Sequence, residues 1–256
     1  MNNNPIGIYD SGFGGLSVWR ELYRALPDES LVYLGDGKNC PYGELDQATI
    51  KEYAQQAVER LLAEGCKLIV VACNTATAAA INFLRERFAD IPIVGLEPAV
   101  KPACKMTRSK RVAVLATEHL LHSEKFRAAV DKYAEGVEVI PVVGRGFVEA
   151  VEAGQEQSDA TRQLVADAVE PAVQQGADVI VLGCTHYPFL RGVIREVVGD
   201  KDVIVIDSGE PVGKRVESLL GHYDMRAEVD HEPRYDFLTF ADEEYCERLR
   251  KKAFGE

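Results

Sequence analysis

Cys73, in IVVACNTATAAA, and Cys184, in VIVLGCTHYPF, lie 111 residues apart in matching settings. Each ends a run of β-branched and aliphatic residues, and each is followed at once by hydroxyl, amide or imidazole side chains. A single such thiol would be a nucleophile or a core filler, since free cysteine is among the most buried residue types. Two at the same structural punctuation point to a pair of thiols facing one site from opposite sides. Cys40, Cys66, Cys104 and Cys246 lack that setting and read as structural.

The surroundings of each thiol suit proton chemistry. CNTAT follows a strand and opens a helix, so the N–H groups of Asn74, Thr75 and Thr77 are expected at a helix N-terminus, where carboxylates and thiolates are stabilised. CTHYP repeats the pattern, with Thr185 as a donor and His186 two positions beyond Cys184. In IGIYDSGFGGLSV, Asp10 and Ser11 sit just past a strand, and Gly12, Gly14 and Gly15 permit a tight turn into the next helix. YLGDGKNCPYGE puts Pro41, Tyr42 and Gly43 in a loop whose backbone N–H groups, Pro41 excepted, and tyrosine hydroxyl would hold an anion such as a carboxylate.

Other readings compete. The glycines, with Asp36 after the second strand, suggest a dinucleotide site, but Ser17 stands where GxGxxG needs its third glycine. A metal on Cys73, Cys184 and His186 lacks a fourth ligand at any local spacing, so no metal is expected. A cysteine–histidine hydrolase is chemically sound, yet it leaves the second thiol without a role.

Short apolar runs alternate with amphipathic stretches along the whole chain. Strands are expected at 6–9, 31–34, 68–72, 93–95, 112–115, 137–142, 179–182, 203–206 and 237–240, and a helix over 45–63 from the Ile50, Tyr53, Ala54, Ala57, Leu61 stripe. This is an α/β pattern, implying mostly parallel sheets flanked by helices, with ligands at the carboxyl ends of the strands. LIVVACNTAT matches VIVLGCTHYP, and IGIYDSG near residue 7 matches VAVLATEH near residue 112, which suggests two related lobes with the site in the cleft between them.

The charge of −12, with a sequence pI near 5.0, argues against an electrostatic grip on nucleic acid or anionic lipid and favours a small metabolite as partner. Without a signal-peptide pattern or a membrane-length apolar run, a cytoplasmic address is expected. Six irregularly spaced cysteines with no CxxC read as reduced thiols.

In order along the chain, DSGFGGLSV, PYGE, ACNTATA, GLEPAVKPA, VEAVEAG, LGCTHYP and DSGEPV resemble the motifs of glutamate racemases, a cofactor-independent family. The resemblance implies two pseudo-symmetric α/β lobes. One is 1–97 with 208–256, carrying Asp10 and Cys73; the other is 98–207, carrying Glu152, Cys184 and His186. It implies that Cys184 deprotonates L-glutamate while Cys73 reprotonates the other face, with the roles reversed for D-glutamate. Asp10 would assist Cys73, His186 would assist Cys184, and Glu152 is a further acid near the second thiol. The substrate contacts it implies are Asp10, Ser11, Pro41, Tyr42, Gly43, Asn74, Thr75, Thr117, Thr185 and His186. It further implies no cofactor, a homodimer, and a role in supplying D-glutamate for peptidoglycan.

The chain departs from the family pattern at two places. Ala116, Thr117, Glu118 and His119 stand where a Gly-Thr pair is usual, and Gly144 and Arg145 replace a Cys-Pro pair. Glu118 and His119 are expected to point into solvent; were they to line the site, they would favour a neighbouring substrate such as aspartate. A non-catalytic amino-acid or nucleotide binding module is the alternative outside enzymes, and the twin thiols speak against it.

Overall fold

The structure, a computed structural model, describes residues 1–255. The chain forms two compact units, Met1–Leu96 with Gly209–Glu256, and Glu97–Ser208. The first unit opens with β1 (Ile6–Asp10), α1 (Leu16–Ala25), β2 (Leu31–Gly35), α2 (Gln47–Ala63), β3 (Leu68–Val71), α3 (Asn74–Arg87) and β4 (Ile93–Gly95). The second contains α4 (Val100–Met106), β5 (Arg111–Ala116), α5 (Glu118–Leu121), α6 (Glu124–Tyr133), β6 (Glu138–Val143), α7 (Phe147–Glu152), α8 (Asp159–Gln174), β7 (Val179–Leu182), α9 (Arg191–Val198) and β8 (Ile204–Ile206). The chain then completes the first unit with α10 (Gly209–His222), β9 (Tyr235–Thr239) and α11 (Glu243–Phe254).

Both sheets are entirely parallel, with strand orders β4-β3-β1-β2-β9 and β6-β5-β7-β8. Apart from the added β9, the two orders are one topology: the first strand of each unit lies between its second and third, and the fourth lies outside the third. The backbone bonds agree as well. Ala72 N–H donates to Tyr9 O at 2.7 Å and Gly183 N–H to Leu115 O at 2.7 Å; Asp36 N–H donates to Asp10 O at 3.0 Å and Gly144 N–H to Ala116 O at 3.1 Å. Asp10 is thus the counterpart of Ala116, and Cys73 of Cys184.

All nine expected strands form, two of them, 93–95 and 179–182, with the expected bounds and the others with ends shifted by one or two residues. The last runs 235–239 rather than 237–240, because Tyr235 pairs with Leu31 at the start of β2. The long helix starts at Gln47, not at 45, since Asp46 caps it by accepting the Ala48 and Thr49 N–H groups. Strands β1, β2, β3 and β7 are buried throughout, as unbroken β-branched runs should be in the middle of a parallel sheet. Pro141 is tolerated in β6 because that strand is an edge. In the first unit, Leu34, Ile69 and Val71 share one core with Ile50 and Leu61 of α2 and Leu84 of α3.

Each unit is tied together at the end of its sheet away from the cysteine. In the second, Asp178 accepts from Thr107 Oγ1 and from the Arg108 and Ser109 N–H groups. Burial pushes that carboxyl up, but these donors outweigh it and hold its pKa at about 2. In the first, Lys67 Nζ pairs with Glu29 Oε2 at 2.6 Å, with the two side chains 1% and 5% exposed. Lys67 also donates to Asn2 O, and Glu29 Oε1 accepts the Ala227 N–H at 2.9 Å, so one buried ion pair joins four separate stretches of chain. Removing one partner strands the other charge. Lys67→Met is expected to cost about 3–5 kcal/mol in chemical denaturation, and Glu29→Gln with Lys67→Met to recover part of it. A loss below about 1 kcal/mol in the single variant would contradict this role for the pair.

Candidate active site

Cys73 leaves β3 and caps α3. Its sulfur accepts the Ala76 N–H at 3.4 Å, and Ser11 Oγ lies 3.6 Å from it. The thiol is 5% exposed, so these contacts stand in for water. Asn74 and Thr75, in the first turn of α3, are also buried. Asn74 Nδ2 has no hydrogen-bond partner among the described residues, an amide donor withdrawn from water that a ligand acceptor would satisfy. The Thr77 N–H, expected among the anion donors, instead bonds to Cys73 O at 2.9 Å, because the helix is already regular there.

Asp10 ends β1 fully buried and accepts the Gly12 N–H through Oδ1 at 2.9 Å. Its side chain lies against the start of α1, where a Cβ on Gly15 would come within 2.5 Å of Asp10 Cβ. A carboxylate in this position is favoured by the helix dipole.

Pro41 precedes a short 3-10 turn over Tyr42–Glu44 that contains Tyr42 and Gly43, and Tyr42 is buried. Its hydroxyl accepts from Tyr9 Oη at 2.8 Å and donates to Asp36 Oδ2 at 2.6 Å, so its proton is committed within the unit rather than offered to an anion. Asn39 Nδ2 donates to both Asp36 oxygens at 3.0 Å. Both oxygens of that carboxylate are therefore engaged within the unit, which weakens the case for a ribose-binding Asp36. Burial pushes both phenols up, with the Cys73 charge second for Tyr9 and the Tyr9 charge second for Tyr42; both stay protonated.

Cys184, 8% exposed, has a different setting. The equivalent of Thr77 is Pro188, which has no N–H to bond back to Cys184 O. That carbonyl accepts instead from Tyr187 N–H at 3.1 Å, a 3-10 turn covers Tyr187–Leu190, and the α-helix begins only at Arg191. The expected helix N-terminus at this thiol is absent for that reason. An imidazole takes its place: His186 Nδ1 lies 3.8 Å from the sulfur and His186 Nε2 lies 2.6 Å from Glu152 Oε1 at the end of α7. A carboxylate only accepts, so Nε2 holds a proton and Nδ1 is presented to the thiol. Thr185 is buried beside them, and Tyr187 Oη donates to Gly144 O at 3.2 Å.

Thr117 caps α5, its hydroxyl accepting the Leu120 N–H at 3.3 Å. Glu118 is exposed and faces Arg145 at 3.6 Å, so a residue from each departure forms one surface ion pair. His119 is half-buried rather than solvent-facing, and burial pushes its imidazole pKa down. Sequence reasoning missed the Tyr9–Tyr42–Asp36 chain; the pairing of Asp36 with a tyrosine six residues on was its only local sign.

Fold and site together define an α/β protein of two parallel-sheet units, each with a thiol two residues past the end of an interior strand and a polar partner of its own. The family model described as Asp/Glu/Hydantoin racemase matches residues 14–211, and the chain belongs to that family. A glutamate racemase of Ectopseudomonas mendocina is 49% identical over 223 residues, spanning 87% of this chain and 84% of its own. The crystal structure of a glutamate racemase isoform from Bacillus anthracis superposes with a TM-score of 0.89 at 31% identity, covering 100% of this chain and 96% of that one. That of Francisella tularensis glutamate racemase in complex with D-glutamate gives 0.85 at 27% identity, covering 100% and 95%.

The relay through His186 makes a chemical prediction. Glu152→Gln is expected to slow carboxymethylation of Cys184 by iodoacetate at neutral pH by roughly tenfold, because a neutral amide stabilises the imidazolium less than a carboxylate does. An unchanged rate, followed by mass spectrometry of the Cys184 peptide, would show that Glu152 does not act on the thiol.

Proposed function

We propose that this protein is a glutamate racemase, interconverting L- and D-glutamate without a cofactor and supplying D-glutamate for peptidoglycan. The observation that carries the reading is the pair of thiols at equivalent strand ends of two units with one topology, each with its own proton partner. Inverting a stereocentre through a planar carbanion needs a base on one face and an acid on the other. The family relationship and the D-glutamate complex of the Francisella relative support glutamate as the substrate.

In this mechanism the Cys184 thiolate, formed by proton transfer to His186, takes the Cα proton of L-glutamate. The Cys73 thiol delivers its proton to the opposite face, giving D-glutamate, and the enzyme is left with Cys73 as thiolate and Cys184 as thiol. From D-glutamate the same steps run in reverse. Ser11 Oγ and the Ala76 N–H stabilise charge on Cys73, and Glu152 holds His186 oriented to Cys184. Asp10 pairs with the substrate ammonium. Asn74 and Thr75 donate to one carboxylate, the backbone of Tyr42 and Gly43 beside Pro41 to the other, and Thr117 and Thr185 contact the substrate from the second unit.

No helix among the described residues is long and apolar enough to cross a membrane. The charge of −12 and the free thiols support a cytoplasmic enzyme with a small-molecule partner and no nucleic acid, while assembly as a homodimer rests on the family resemblance alone.

Circular dichroism of L- and D-glutamate, with aspartate as a second substrate, tests the reading. Wild type is expected to racemise glutamate far faster than aspartate. Cys73→Ala and Cys184→Ala should each lose at least about a hundredfold in rate while still binding glutamate. Wild-type turnover in both alanine variants would mean the thiols are not the acid and base.

A further inference from the structure

The turn that carries Asp10 and Ser11 into α1 continues as Gly12, Phe13, Gly14 and Gly15. Three glycines leave its backbone few intrinsic restraints. Phe13 is the only bulky side chain in it, so the neighbour it packs against, together with the bonds to Gly12, decides where the turn rests. That neighbour is α11. Phe13 is buried and stacks on Tyr245, with ring centroids 4.6 Å apart and planes 23° from parallel. The Arg248 guanidinium lies 4.9 Å from the Phe13 centroid and Lys252 Nζ 5.7 Å from it, a distance at which cations are attracted to a ring face.

The same tyrosine presses on the loop after β2. A Cβ at Gly37 would lie 2.2 to 2.5 Å from three Tyr245 ring carbons, so only glycine lets the ring lie against the backbone there. Tyr33 Oη anchors the first turn from beneath by donating to Gly12 O at 2.6 Å. At its far end α11 is held to α1, where Arg20 Nε donates to Ala253 O at 3.1 Å and the guanidinium also donates to Lys252 O.

We infer that Tyr245 is a positioning residue: through its stack on Phe13 the C-terminal helix fixes the turn from which Asp10 and Ser11 act. The inference rests on the racemase reading. The dependent contacts are short, Ser11 Oγ to Cys73 Sγ at 3.6 Å and Gly12 N–H to Asp10 Oδ1 at 2.9 Å, and a displacement of about 1 Å in such groups is enough to lower a rate severalfold or more.

Two readouts on the full chain test it: racemisation kinetics, and amide hydrogen exchange of the segment 10–16. Tyr245→Phe keeps the ring stacked on Phe13 and should lose far less than Tyr245→Ala in both readouts. Tyr245→Ala should lower kcat/KM roughly tenfold and speed exchange in that segment. Phe254→Ala is the control, because Phe254 packs edge-on against Trp19 from the same helix, at 5.3 Å, and not against Phe13; it should change neither readout. Should Tyr245→Ala fail to fold, Gly37→Ala displaces the ring without removing it and is expected to give the same two effects. Wild-type kcat/KM in the folded variant, or equal losses in Phe254→Ala, would overturn the positioning role. A wild-type chain that leaves glutamate unchanged would overturn the racemase reading instead, and exchange alone would still decide whether the stack holds the turn.

Discussion

A thiol shut away from water bears negative charge only where a donor or an imidazolium meets the sulfur. Cys73 and Cys184, 5% and 8% exposed, are both under that constraint, and the local structure around each follows from it. Cys73 meets it with backbone: β3 stops at Val71, α3 starts at Asn74, and the Ala76 N–H turns to the sulfur. Cys184 meets it with side chains, an imidazole on the same turn and a carboxylate brought in by α7.

One topology thus supports two chemical solutions. The equivalence of Asp10 with Ala116 leaves the second unit without a strand-end carboxylate, and Glu152 on α7 supplies one through His186. Pro188, in the place of Thr77, prevents the α-helix from starting at Cys184 and leaves room for the turn that carries His186. Unlike partners break the equivalence of the two thiols, as suits a reaction in which one must be base while the other is acid. In both units a buried tyrosine lies close enough to feel the thiolate, Tyr9 for Cys73 and Tyr187 for Cys184; burial first, and that charge second, keep each phenol protonated.

Much of the fold was legible because interior parallel strands are written as unbroken β-branched runs, as in LIVV before Cys73 and VIVL before Cys184. Strand ends were less so: pairing partners set them, as Leu31 does for Tyr235. Within the site, Cys73, Cys184 and the nearby His186 could be read from adjacent residues. The Glu152–His186 contact spans 34 residues and no local spacing announces it; only the family resemblance brought Glu152 forward. The bonds of the Tyr42 hydroxyl to Tyr9 and Asp36 have no local sign beyond the nearness of Asp36, because the three groups meet only after β1 and β2 pair. The buried Lys67–Glu29 pair and the Phe13–Tyr245 stack join residues 38 and 232 positions apart, and charge or aromatic content alone does not reveal such contacts.

The central claim is that one proton is removed by one thiol and a different proton is delivered by the other. It is tested most directly by running the reaction from each enantiomer in deuterated water and following Cα by NMR and mass spectrometry at early times. Deuterium should appear in essentially all of the product enantiomer while the unreacted substrate keeps its hydrogen, in both directions. Product that retains the original hydrogen, or deuterium entering both enantiomers equally from the start, would contradict a two-thiol exchange.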